Sequence, residues 1–208
     1  MELAVGYALI LLVLWTPRPW QRLPYFVAAA FIVAASSRAF PGWKAMGLRT
    51  ENLLRSLWLV PVALLAVGCA VFAAGRLHTL HAPDGPSQLL QRYVGYIVFA
   101  FVQQMLLQDF FLLRFLRLVR PAAAAVCAAA IFSLAHLPNP ILTVATFVWG
   151  LIACLFFLRY RSLYALAIAH AILGITLAIT IPGPVIRNMR VGLGYLTYAA
   201  HPRHHRSH

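Results

Sequence analysis

Five side chains in this sequence are placed to do chemistry from inside apolar surroundings. Gln103, Gln104 and Gln108 lie within FVQQMLLQDFFLL, His136 closes FSLAH, and His170 sits in AIAHAIL. An amide both donates and accepts hydrogen bonds, and an imidazole does so while titrating near neutrality. Inside an apolar helix such groups gain little unless they meet one another or a substrate. They are therefore the candidate site. No glutamate lies in these segments, and the nearest acid is Asp109. The chemistry within reach is orientation of a water or an amide by glutamine, and proton transfer by histidine. Two histidines without a clear third ligand make a poor zinc site, so no metal or other cofactor is expected.

The elements that must hold these residues are membrane helices. The chain has 208 residues, of which 62% are hydrophobic and 10% charged, with a mean hydropathy of +0.82. A soluble domain averages about 45–50% apolar and about 25% charged. The composition predicts an all-α, multi-pass bundle in the cell membrane, a single domain over residues 1–208. A spanning helix needs about 20 apolar residues. Candidate spans run near 3–15, 24–40, 56–75, 92–118, 122–137, 141–158 and 162–181, about seven in all with a range of six to eight. The boundaries carry Pro and Arg: TPRPWQRLP, Arg120-Pro121, LPNP, RYR and IPGP. Residues 41–58, PGWKAMGLRTENLLRSLW, read as an amphipathic interfacial helix carrying Glu51 toward headgroups. The alanine run at 122–130 reads as a surface for close helix approach. MELAVGYALILLVLW resembles a short signal segment, but without a basic start or an A-x-A site it reads as a retained first span.

The net charge of +13 is the charge of a membrane protein anchored at anionic headgroups. Its arginines are scattered between spans, which argues against nucleic acid as a partner. Arg114, Arg117 and Arg120 are expected to snorkel to phosphates. Residues 185–208 form a basic tail ending in HPRHHRSH, read as solvated. Cys69, Cys127 and Cys154 show no CxxC spacing and read as packing residues. No paired intramembrane charges and no matched broken helices point to a transporter.

Depth along the helices draws the polar residues together. Gln103 lies 17 residues before Arg120 and His136 lies 16 after it. At about 1.5 Å per residue both stand about 25 Å from that turn. His170 returns to within two turns of this level on the next hairpin. The convergence defines a core over residues 92–181. On a regular helix Asp109 lies about 120° from Gln103 and about 140° from Gln104, so it faces elsewhere and reads as a partner for a neighbouring arginine.

These motifs resemble the CPBP family of intramembrane proteases, the CAAX-processing and bacteriocin-processing (Abi) proteins. The family's first motif is a Glu-Glu pair, three residues and an Arg, where this chain has Gln103-Gln104-Met-Leu-Leu-Gln108 followed by Asp109-Phe110. The second is Phe-x-x-x-His, matched by Phe132 to His136. The third is His-x-x-x-Asn or Asp, here His170 to Gly174. WKAMGLR before a long span is also similar. The resemblance implies a CPBP-like four-helix core and an intramembrane endopeptidase acting on a membrane-associated peptide or a protein's C-terminal segment. In such enzymes a glutamate activates water and histidines hold the water or the oxyanion.

The chain departs from that pattern at the charged positions. Both glutamates are glutamine, the arginine is Gln108, and the Asn or Asp is Gly174. An amide is no general base. Two functions are open to such a site. One is a CAAX-protease-like endopeptidase in which His136 and His170 carry the chemistry with Gln103 and Gln104, while Gln108, Gly174 and Asp109 are secondary or substrate-orienting. The other is a catalytically inactive family member that binds a hydrophobic or lipidated segment without cutting it. Membrane lipids and such a peptide are the expected partners of either.

Overall fold

A computed structural model describes residues 1–81 and 85–199 of the chain. Among them every regular element is helical. The terminal HPRHHRSH, expected to be solvated, lies outside the described residues, as do residues 82–84. In chain order the helices are α1 (Glu2–Trp15), α2 (Arg22–Arg38), α3 (Leu53–Ser56), α4 (Leu59–Arg76) and α5 (Pro86–Met105). α5 runs on through a π-helical segment, Leu106–Leu112, into α6 (Leu113–Phe115). There follow α7 (Pro121–Leu134), α8 (Pro140–Tyr160), α9 (Leu163–Thr180), α10 (Gly183–Ile186) and α11 (Gly192–Leu196).

Four stretches are long and apolar enough to cross a membrane: Leu53–Arg76, Gln91–Phe115, Pro140–Tyr160 and Leu163–Thr180. This is fewer than the seven expected from hydropathy. α1 and α7 have 14 residues each. At about 1.5 Å per residue each is about 21 Å long, short of a hydrocarbon core about 30 Å thick. The outer helices present bare apolar surface, for example Leu65 and Phe72 on α4 and Val144 and Leu155 on α8. Contiguous apolar exposure on this scale fits a lipid-facing wall.

The tightest pairings are α7 with α8, α5 with α9, and α4 with α9. The first follows directly from the alanine run. Ala124, Ala125, Ala128 and Ala129 are fully buried, and a Cβ on Gly150 of α8 would stand 3.3 Å from the Ala129 Cα. Small residues on both sides let the two backbones meet. α8 starts where Asn139 caps it, its Oδ1 accepting from the Leu142 amide at 3.2 Å, with Pro140 in the first turn.

Two sequence expectations are corrected by local geometry. Residues 41–58 do not form one interfacial helix: they are tight turns ending in the single helical turn α3. Gly42 and Gly47 hold φ of 95° and 70°, left-handed values that end any helix there. The turn docks on the α8–α9 junction instead, through Leu163 N–H to the Gly47 carbonyl (2.9 Å) and the Tyr164 hydroxyl to the Leu48 carbonyl (3.0 Å). Glu51 accepts from Arg49 (3.0 Å) and pairs with Lys44 (3.1 Å) at the surface, and these bonds hold its carboxyl below the usual carboxylate range.

Arg114 does not snorkel. It is buried, and its Nε donates to Glu2 Oε2 at 3.0 Å. Its Nη1 donates to the carbonyls of Phe110 (3.1 Å) and Asp109 (3.4 Å), and the guanidinium stacks 4.1 Å from the Phe110 ring centre. It thereby caps carbonyls in the π-helical segment, where the regular i→i−4 ladder is interrupted. Arg117 and Arg120 are exposed as expected.

Candidate functional site

The site begins in the π-helical segment. Leu107 through Leu112 are six consecutive buried residues, so this stretch has no solvent or lipid side. It runs through the centre of the bundle, touching α7, α8 and α2. Such a segment widens the helix and rotates the downstream residues relative to a regular α-helix, a distortion frequent at functional sites.

Just before it, Gln104 is fully buried and turns toward α9. Its Nε2 lies 2.8 Å from Nδ1 of His170. Gln108, one turn on and also fully buried, donates from Nε2 to Gln104 Oε1 at 3.2 Å. The direction of the chain is thereby set. Gln104 accepts with its oxygen, so it donates with its nitrogen, and Nδ1 of His170 is the acceptor. The His170 proton is then on Nε2. This is a neutral relay, Gln108 to Gln104 to His170, in the place where the resemblance implies glutamate and arginine.

His136 ends α7. Its Nδ1 donates to the Phe132 carbonyl at 2.8 Å, one turn back on its own helix. The proton therefore sits on Nδ1, and the Nε2 lone pair is free to accept. Phe132 stands between the two histidines, its ring centre 5.1 Å from that of His136 and 6.3 Å from that of His170. Tyr96 and Trp149 complete an aromatic surround of His170, at 6.5 and 5.9 Å.

Gln103, His136, His170 and Gly174 all line one cleft, together with Tyr96, Phe132 and Trp149. Its volume is about 2280 Å³. Pockets for small molecules run to roughly 300–1,000 Å³, so this space suits a chain segment better than a metabolite. The wall is mostly apolar, contributed by α1, α2, α4, α5, α7, α8, α9 and the segment after α9. Among the described residues no Asp or Glu lines it.

The structure thus brings Gln103, Gln104, Gln108, His136, His170 and Gly174 into one neighbourhood, with Gln104 and Gln108 behind His170 rather than on the cleft wall. Asp109 is not brought there. It is buried off the cleft, and neither carboxylate oxygen has a hydrogen-bond partner among the described residues. The expected arginine pairing does not form either, since Arg114 reaches only its main-chain carbonyl. Among the described residues no group of three or more His, Cys, Asp or Glu side chains is gathered as a metal would require.

Three residues of the site escaped the sequence reading. Tyr96 lies seven residues before Gln103, on nearly the same helix face, a spacing that could have flagged it. Trp149 carried no such signal. Asn139 sits in LPNP, a capping signal read only as a boundary. It is fully buried, and its Nδ2 donates to the carbonyls of Ile186 (2.8 Å) and Arg190 (3.2 Å). With the Gly192 amide bonded to the Leu137 carbonyl at 2.8 Å, it folds the segment after α9 over the cleft rim. Residues 185–199, the first part of the basic tail, are structured there. Arg187 and Arg190 stack on Tyr198 at 5.6 and 5.4 Å.

Fold and site together define an integral membrane protein with a buried glutamine–histidine relay opening on an apolar cleft. Residues 85–176 match the family described as type II CAAX prenyl endopeptidase Rce1-like. The matched segment contains every candidate site residue, and it supports the resemblance read from the motifs to the CPBP family of intramembrane proteases. No curated protein and no solved structure matches the chain.

Proposed function

We propose that this protein is a multi-pass member of the cell membrane that receives a hydrophobic or lipidated peptide segment in a CAAX-protease-type cleft and holds it without hydrolysis. The observation that carries this reading is the commitment of the Gln104 amide. Its oxygen accepts from Gln108 and its nitrogen donates to His170, so the position that resembles a catalytic glutamate is a neutral amide already engaged through both its oxygen and its nitrogen. No carboxylate among the described residues reaches the cleft to replace it. The remaining groups suit recognition. An extended peptide offers alternating N–H and C=O groups, which amide, imidazole and phenol side chains can meet, while the apolar wall takes side chains or a prenyl chain.

A second reading, a histidine-centred endopeptidase, is favoured by one feature. The Nε2 of His136 is an acceptor in the cleft, held by the Phe132 carbonyl on its other nitrogen. That is the geometry of an oriented base.

The test compares wild type with Q103E/Q104E/Q108R in lipid nanodiscs, using a prenylated C-terminal peptide and membrane-spanning peptides. Binding is read by fluorescence anisotropy and cleavage by mass spectrometry. Binding by wild type without product supports the first reading. Cleavage by wild type, lost in H136A, establishes the second. Absence of both binding and product overturns the assignment of the cleft to peptides.

A further inference from the structure

Position 174 has no room for a side chain. A Cβ built on Gly174 would overlap the hydroxyl of Tyr96. Gly174 follows His170 by one turn of α9 and so shares its face. Tyr96 precedes Gln103 by two turns of α5, which shares that face in the same way. The phenol therefore occupies the space that a side chain one turn beyond His170 would fill. The substitution to glycine at 174 and the tyrosine at 96 are two halves of one arrangement.

The Tyr96 ring meets His170 edge-on, at an interplanar angle of 85°. The residue lines the same cleft as Gln103, His136 and His170. Among the described residues its hydroxyl has no hydrogen-bond partner in the protein. A tyrosine hydroxyl in apolar surroundings ordinarily finds one, because leaving it unmade costs free energy. The groups that share the cleft with it include the Gln103 amide and the free Nε2 of His136. Together they offer donors and acceptors along a cleft with an apolar wall. A prenyl chain could satisfy none of them, whereas an extended peptide backbone could satisfy all.

We propose that Tyr96 is a ligand-positioning residue of the cleft, its hydroxyl donating a hydrogen bond to a main-chain carbonyl of the bound peptide from the place a side chain at position 174 would take. The proposal rests on the reading of the cleft as a peptide site.

Y96F removes the donor and keeps the ring over Gly174. The probe is a dye-labelled prenylated C-terminal peptide bound to the protein in nanodiscs, beside a series with one peptide bond at a time replaced by an (E)-alkene. Y96F is expected to unfold at the wild-type temperature and to bind the parent peptide about five- to tenfold more weakly. For one member of the alkene series, wild type and Y96F should bind alike, since the acceptor is already gone. A packing role would not produce that convergence. Adding G174N to Y96A, which returns a donor to a vacated space, should recover part of the affinity lost in Y96A alone. Equal loss across the whole series, or no loss in Y96F, overturns the assignment while leaving the peptide site standing. Failure of wild type to bind any of these peptides overturns the peptide site and this assignment with it.

Discussion

Gln104 Nε2 and His170 Nδ1 lie 2.8 Å apart across the α5–α9 interface, 66 residues apart in the chain. This bond fixes the His170 tautomer, because an amide nitrogen can only donate. It also makes His170 the end of a relay that starts at Gln108. A carboxylate at 104 would reverse the sense of the bond, accepting from Nδ1–H. In wild type, nitrogen NMR of labelled histidine should therefore show the His170 proton on Nε2, and Q104E should move it to Nδ1. An unchanged tautomer in Q104E would refute this direction for the relay.

Removing one member of the relay leaves the others buried without partners. Q104L should destabilise the protein by about 1–3 kcal/mol, the cost of stranding buried polar groups. The average interhelical bond in a membrane contributes only about 0.6 kcal/mol. Thermal unfolding in detergent measures the difference, and Q104L/Q108L/H170F should recover part of the loss by removing every stranded group at once.

The two histidines differ in what else they hold. Among the described residues the His136 ring bonds only to the Phe132 carbonyl, in the last turn of α7. H136A should abolish function in the cleft, whether binding or cleavage, with an unfolding temperature close to wild type. H170A strands Gln104 and should lose both function and stability. Equal destabilisation by the two substitutions would count against this division.

Asp109 gives the sharpest negative control. Its carboxylate lies off the cleft with no hydrogen-bond partner among the described residues. D109N should leave peptide binding, and any cleavage, within about twofold of wild type, and should not lower the unfolding temperature, since the carboxyl group it replaces makes no hydrogen bond among the described residues. Loss of activity in D109N with the fold intact would make Asp109 the acid of the site after all.

Asn139 ties two distant pieces together. It caps α8 and holds the carbonyls of Ile186 and Arg190 at the rim of the cleft. N139A removes the cap and both tethers, so a loss of about 1–2 kcal/mol is expected from the cap alone. Limited proteolysis should then cut within residues 187–199 earlier than in wild type. An unchanged cutting pattern would show that the Leu137–Gly192 bond suffices to hold the segment.

Much of the site was legible in the sequence because helix depth is arithmetic. Residue count from the Arg120 turn placed Gln103 and His136 at a common level, with His170 within two turns of it on the next hairpin, and apolar content pointed to the all-helical class. The alanine run announced the α7–α8 contact, since small side chains leave backbones free to approach. The rotation of each helix about its own axis was not legible there. That angle is chosen by packing, and it decided that Gln104 rather than Gln103 meets His170, and that Gln103 faces the cleft. The π-helical segment has no local code either. Its carbonyls at 109 and 110 accept from Arg114, which also pairs with Glu2, 112 residues away. For the same reason Gly174 read as a gap in a motif, until the tertiary structure put the Tyr96 hydroxyl in the space that the missing side chain leaves.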